Sequence, residues 1–277
     1  MMPDVDIKEY LSQVGIRKIT ELDTALTEAF GQDEGERHIE RLTKLYDQSE
    51  ERLVYGAGDT PYLHRQQELV EYLNQSQQMS LLASSFYDRV FFRRVMEYLV
   101  RYDSFLAGDI CDIGCGNGIL TCFIALRHPD AAVTGLELSP NAVSVAEGLA
   151  AKLHINNVHF ISGAAPIQEK CDTLFSCRTV HENVVWRPLC EEPQPAALPV
   201  EEHTGRHRAY AGELAALVRD KGYLVSVERY EDDSAYAGLL RALEHVGFCQ
   251  VRGTHMQFSC RDGDKTAVFQ AMVFQRA

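Results

Sequence analysis

The run Asp109-Ile110-Cys111-Asp112-Ile113-Gly114-Cys115-Gly116-Asn117-Gly118 limits the possible fold of this chain more than any other stretch. A short apolar segment around one acid reads as a buried strand, and it enters a turn with three glycines in five residues. Glycines at such a place let the backbone turn tightly. They also bring a ligand against bare peptide N–H groups at the start of a helix. A helix is expected from about Asn117 to Arg127, so the unit is strand, glycine turn, helix.

The unit then repeats. Residues 131–136 read as a second strand, and Ser139-Pro140 as an N-cap followed by proline at the first helical position. Ala142, Val145, Ala146, Leu149 and Leu153 form the stripe of that helix. Further strands are expected at 157–161, 172–176 and 223–227. Tyr210, Leu214, Leu217 and Val218 mark a helix closed by Gly222, and Tyr236, Leu239, Leu240 and Leu243 mark one that ends at Gly247. Strand–helix alternation implies right-handed crossovers and a parallel sheet with helices on both faces. Residues 248–259 and 266–274 flank Arg261-Asp262-Gly263-Asp264 with no room for a helix, which predicts a hairpin. The expected class is α/β: a doubly wound, mostly parallel seven-stranded sheet ending in an antiparallel hairpin.

Residues 1–105 have a different character and are expected to form an N-terminal helical cap. Apolar residues at 19, 22, 26, 29 and 30 precede Gly31 at helical spacing. A second helix is expected at 34–54, a third from Thr60 with Pro61 in its first turn, and a fourth over 86–100. In the fourth, Arg89, Arg93, Glu97 and Arg101 share one drifting face while the other positions are expected to be buried. Its four arginines read either as a solvated face or as an anion site.

The glycine spacing is Gly-x-Gly-x-Gly, not the Gly-x-Gly-x-x-Gly of dinucleotide folds, and no Gly-Lys-Ser/Thr follows to cradle a phosphate. Asp112 stands two residues before the first glycine, where a carboxylate would repel a pyrophosphate but accept from an ammonium group. Glu137, after the second strand, can accept from both hydroxyls of a ribose. A ligand with ammonium, ribose and no phosphate suits both acids. The plainer alternative is that Asp112 caps the loop and Glu137 is a surface acid. An acidic excess, 27 basic against 40 acidic residues, argues against nucleic acid as a partner. Eight cysteines without a Cys-x-x-Cys pair suggest reduced thiols and no metal site. No run of about 18 apolar residues predicts a membrane span, and the start lacks the pattern of a secretory signal, so a cytoplasmic location is expected.

On these residues the segment from Asp109 to about Gly247 resembles the core of class I S-adenosylmethionine-dependent methyltransferases, and the terminal hairpin resembles that family's antiparallel end. The resemblance divides the chain into the cap, 1–105, and a Rossmann-like methyltransferase domain, 106–277. It implies S-adenosylmethionine as cofactor. Asp112, Gly114, Gly116 and Gly118 would hold its methionine part, Glu137 its ribose hydroxyls, and Leu138 would pack on the adenine. Backbone groups of Ala164 would meet the adenine amine, because 161–165 offers no acid there. Cys177 would lie beneath the methionine portion.

The stretch 171–182 resembles the fourth-strand motif of the family's small-molecule members. His181 is the candidate general base, since an imidazole with a pKa near ~6.5 suits proton removal at neutral pH, and Glu182 could orient it or act directly. The alternative is that His181 only packs under the following loop. Tyr87 and Trp186 are candidate substrate-lining residues, with the long connection from Trp186 to about Gly205 roofing the pocket. The Asn/Asp-Pro-Pro-aromatic motif used on base amines and glutamine amides is absent. The expected reaction is O-methylation of a small metabolite or a peptide carboxylate. The rivals are N-methylation of a small molecule, and a non-catalytic cofactor-binding protein that docks a partner.

Overall fold

The computed structural model describes residues 5–55, 62–163, 170–180, 198–230, 232–262 and 265–277. Its first helix, α1 (Ile7–Val14), is capped by the Asp6 side chain at the Glu9 N–H (2.7 Å) and closed by Gly15 in the left-handed region. Sequence periodicity did not reveal it. Then come α2 (Leu22–Phe30), which Gly31 closes as expected, α3 (Gln32–Tyr55) and α4 (Tyr62–Leu73). Thr60 and Pro61 lie outside the described residues. The expected fourth helix is two: α5 (Gln77–Tyr87) and α6 (Arg89–Arg101), broken at Asp88.

Strand–helix alternation follows: β1 (Ile110–Ile113), α7 (Ile119–Arg127), β2 (Val133–Glu137), α8 (Pro140–Lys152), β3 (Val158–Ser162) and β4 (Cys171–Cys177). After these come α9 (Val200–Leu217), β5 (Val218–Arg229), α10 (Asp233–His245), β6 (Phe248–Gln250), β7 (Met256–Asp262) and β8 (Lys265–Arg276). Ser139 caps α8 at the Ala142 N–H, with Pro140 in its first turn as read from the sequence. α9 begins at Val200, inside the stretch expected to be loop. It ends at Leu217 rather than near Gly222, because Val218 already pairs with Cys171 of β4.

The sheet order is β3-β2-β1-β4-β5-β8, with β6 and β7 sharing the outer edge of β8. All pairs up to β4–β5 are parallel, and β8 runs antiparallel to β5. Seven strand positions thus hold eight strands. The stretch read as one strand, 248–259, is interrupted because Val251 to His255 loop out. The Thr254 hydroxyl donates to Val251 O (2.7 Å) and accepts from Val273 N–H (3.2 Å), and Tyr98 of α6 donates to Thr254 O (2.9 Å). From β1 the chain winds outward through β2 and β3, then returns to lay β4 on the other side of β1. That reversal opens a crevice at the carboxyl ends of β1 and β4, where open α/β sheets take ligands.

One face of the sheet packs on α1, α6, α7 and α8, including Tyr10, Phe91, Val95, Phe123 and Leu149. The other packs on α9 and α10 through Tyr210, Leu214, Leu239 and Leu243. Helices α2–α5 add a smaller cluster of Ala25, Leu26, Leu42, Leu45, Leu69, Met79 and Leu82. On α6, Arg93 and Arg94 both pair with Glu97 on a solvated face, and Val90 and Val100, expected to be buried, are exposed with it. Phe91 shows how deeply α6 enters the core: its ring lies 4.7 Å from that of Phe269 on β8. Phe91→Ala should destabilise the chain by about 3–5 kcal/mol in urea unfolding, as large-to-small core changes do. A loss under about 1 kcal/mol would show that α6 is an appendage.

Candidate functional site

The three loop glycines occupy the left-handed region, and two of them explain why glycine is needed. Gly114 has φ +70°, and a Cβ there would sit 2.6 Å from Thr179 Cγ2, so the turns after β1 and β4 approach too closely for a side chain. Gly116 has φ +53°, and a Cβ there would meet nothing within 4 Å, so it faces open space. Gly118 is the N-cap of α7.

Glu137 closes the loop from the end of β2. Its Oε2 accepts from Gly116 N–H (3.0 Å) and its Oε1 from Ser139 N–H (2.9 Å). An ionised carboxylate has about four acceptor sites, so each oxygen keeps capacity for a hydroxyl. Leu138 follows with 42% of its surface exposed, an apolar face beside the acid. Asp112 lies deeper. Its Oδ2 accepts from the Thr121 hydroxyl (2.6 Å), and it is almost fully buried. Burial pushes its pKa up to about 7, the Thr121 bond pulls it down, and the charge of Glu137 pushes it up.

At the end of β4, Cys177 is partly buried and its thiol is pushed up by burial. The next residue, Arg178, has φ +63°, unusual for a side chain of its size. Its N–H donates to Val227 O (3.0 Å), its guanidinium pairs with Asp88 (2.6 Å) and lies 3.8 Å from the centre of the Phe91 ring. These contacts hold the strained turn and tie it to Asp88, where α5 gives way to α6. Just before that break the Tyr87 ring lies tilted beside Tyr46 (5.9 Å between centres) and edge-on to Phe86 (4.8 Å). Ala164, His181, Glu182 and Trp186 lie outside the described residues.

Sequence reasoning missed Glu228. This β5 residue is fully buried and accepts from Ser176 Oγ (3.0 Å), Thr179 N–H (3.1 Å) and Val180 N–H (3.2 Å), so it ties down the turn after β4. Burial pushes its pKa up to about 7 against those donors. Tyr210 of α9 donates to the Thr179 hydroxyl (2.6 Å) behind it. Among the described residues no cluster of His, Cys, Asp or Glu could hold a metal, and no helix is long and apolar enough to cross a membrane.

Residues 107–232 match a family model described as a methyltransferase domain. That stretch, from the residues before β1 to just past β5, therefore reads as a methyltransferase domain. The architecture, a mostly parallel sheet with an antiparallel end, is the one expected from the sequence. The domain is 26% identical over 160 residues to the release factor glutamine methyltransferase of Vibrio cholerae, across 54% of this chain and 55% of that protein. It is 24% identical over 160 residues to the ubiquinone biosynthesis O-methyltransferase of Chromobacterium violaceum, across 58% of this chain and 61% of that one. The chain thus spans little more than half the length of these relatives. Among solved structures, magnesium protoporphyrin IX methyltransferase from Synechocystis with bound S-adenosylmethionine aligns over 94% of this chain and 100% of its own, at 20% identity and a TM-score of 0.48.

The buried acid of the methyltransferase domain makes stability depend on pH. Unfolded, Asp112 loses its proton near pH ~4; folded, it keeps it up to about 7. Its raised pKa therefore contributes stability that is full below pH ~4 and is lost as pH rises through about 7. Asp112→Asn removes this titration, so the melting temperature of the natural chain minus that of the variant should fall from pH 5 to pH 8. A difference independent of pH would show that Asp112 is not titrating in that window.

Proposed function

We propose that this domain transfers the methyl group of S-adenosylmethionine to an oxygen, on a hydroxyl or carboxylate of a small metabolite or on a carboxylate of a peptide. The observation that carries the reading is the Glu137 carboxylate, held by Gly116 N–H and Ser139 N–H at the crevice with acceptor capacity to spare. The fit extends to its neighbours: Gly116 faces open space for a ligand, Leu138 exposes an apolar surface for a base, and no phosphate-binding lysine stands in the loop. When bound, S-adenosylmethionine supplies an electrophilic methyl on a positively charged sulfur.

The chain's own task is mainly alignment, since in-line displacement needs the attacking atom held against the methyl. Glu137 and Leu138 would fix the adenosine, and the Gly114–Gly118 turn with Asp112 behind it the methionine part. Cys177 would form the floor where β4 ends. His181, with Glu182, would take the proton of a hydroxyl acceptor, and Ala164, Tyr87 and Trp186 would complete the adenine and acceptor sides. Residues 1–105 would act as a cap over 106–277 and not as a free domain, in keeping with the core that α1 and α6 share with the sheet.

Oxygen is favoured over nitrogen by the residues from the end of β4 onward. They are Cys177-Arg178-Thr179-Val180, without the Asn/Asp-Pro-Pro-aromatic motif used on amides and base amines. One of the similar proteins is named an O-methyltransferase and one a glutamine methyltransferase, so relatives alone do not decide between the atoms.

Labelled methyl transfer from S-adenosylmethionine to panels of phenols, alcohols, carboxylates and amines tests this reading. Label should enter hydroxyl or carboxylate acceptors, and label confined to amines would contradict it. His181→Ala sorts the two oxygen classes. A hydroxyl must lose its proton, and general-base help is worth ~10²–10⁴-fold, so the rate at saturation should fall at least about a hundredfold. A carboxylate is already ionised above its pKa of ~4, so its saturating rate should hold. An unchanged hydroxyl rate in the variant would remove His181 from the catalytic residues.

A further inference from the structure

Two asparagines stand just after the two strands that carry the site acids, and both donate to the N-terminal segment. Asn117, between the second and third loop glycines, donates its side-chain amide to Ser80 Oγ and to Ser84 Oγ on α5, both at 2.9 Å. Asn141, in the first turn of α8, donates to Glu71 O at the end of α4 (3.0 Å). The serines are nearly fully buried. The first contact continues: Ser80 Oγ donates to Asn74 Oδ1 (2.8 Å), and Asn74 Nδ2 donates to Val70 O (2.9 Å).

Every donor in that chain points away from the glycine loop, so each bond polarises the next in the same sense. The amide orientation of Asn117 is fixed as well, since both its N–H groups are taken by the serines. The α4–α5 corner therefore grips the loop after β1 at one point and the start of α8 at another, on either side of Glu137 and Leu138.

We propose that Ser80 and Ser84 are positioning residues for the cofactor site, holding the Gly116-Asn117-Gly118 turn in its binding shape so that docking of the α4–α5 corner and cofactor binding are one linked equilibrium. The inference rests on the cofactor reading above and adds to it that the site is incomplete without residues 70–84. By linkage, whatever the corner contributes to cofactor affinity, the cofactor returns as stability of the corner.

The test uses the full chain and S-adenosylhomocysteine. The double substitution Ser80→Ala, Ser84→Ala removes both acceptors from Asn117 and the donor to Asn74, at helical positions where alanine is the better helix former. With Asn117 left without its two acceptors, S-adenosylhomocysteine binding should weaken about tenfold in calorimetry, while circular dichroism in its absence shows the chain still folded. In the natural chain the ligand should slow amide hydrogen exchange across residues 70–84, and in the variant that protection should largely vanish. Should the variant lose its fold, Asn141→Ala provides the second arm, with the same loss of ligand-induced protection expected at the end of α4. Tight binding with undiminished affinity in the serine variant, or with no protection of 70–84 in the natural chain, would overturn the inference and leave the cofactor reading standing. No binding of S-adenosylhomocysteine by the natural chain would overturn both.

Discussion

The carboxylate of Glu137 joins two pieces of backbone that the sheet alone does not hold together. β2 ends at this residue, and the loop after β1 would otherwise leave Gly116 N–H pointing into an open crevice. Accepting from that N–H and from its own chain two residues on, Glu137 sets where the loop stops and where α8 starts. One side chain thus fixes two backbone N–H groups at the point where the strand order reverses. The rest of the site is arranged about it: the left-handed glycines before it, the apolar face of Leu138 after it, and the α4–α5 corner fastened on both sides.

The acids at this end of the sheet differ because their surroundings differ. Glu137 is partly exposed and bonded only to backbone, the state suited to recognising hydroxyls. Asp112 and Glu228 are buried, and burial pushes both up to about 7. They act within the protein, one behind the glycine loop through Thr121 and the other under the turn after β4 through Ser176, Thr179 and Val180. The crevice thus has two stiffened rims. Arg178 links the second rim to the helical segment through Asp88 and Phe91, so chain segments about 90 residues apart meet where the acceptor is proposed to sit.

What could be read from the sequence was what local chemistry dictates. Positive φ at the loop favours glycine, Ser139-Pro140 has one common use, and two strand-like runs with no room for a helix must pair, so the parallel sheet, its antiparallel end and the place of Glu137 at the end of the second strand were all legible. What could not be read depends on partners far away along the chain. α1 is only eight residues long, and its anchor is a hydrogen bond from Tyr10 to Ile119 O (2.5 Å). The apolar pattern of 86–100 runs without a mark through Asp88, where α5 ends, α6 begins and Arg178 makes its ion pair. The strand read as 248–259 opens at Gly253 (φ +79°), a glycine inside a strand pattern that the reading passed over, and Thr254 holds the loop. Glu228 looks like the acid at the end of any strand, and Ser80 and Ser84 like ordinary helix residues, until Val180 and Asn117 are beside them.

The central claim is that the crevice beside Glu137 is where this methyltransferase domain binds its cofactor. Calorimetric titration of S-adenosylmethionine into the natural chain and into Glu137→Ala tests it most directly. Losing a charged acceptor typically costs ~1.5–3 kcal/mol, so the variant should bind about tenfold to a hundredfold more weakly. Equal affinity in the two chains would contradict the account.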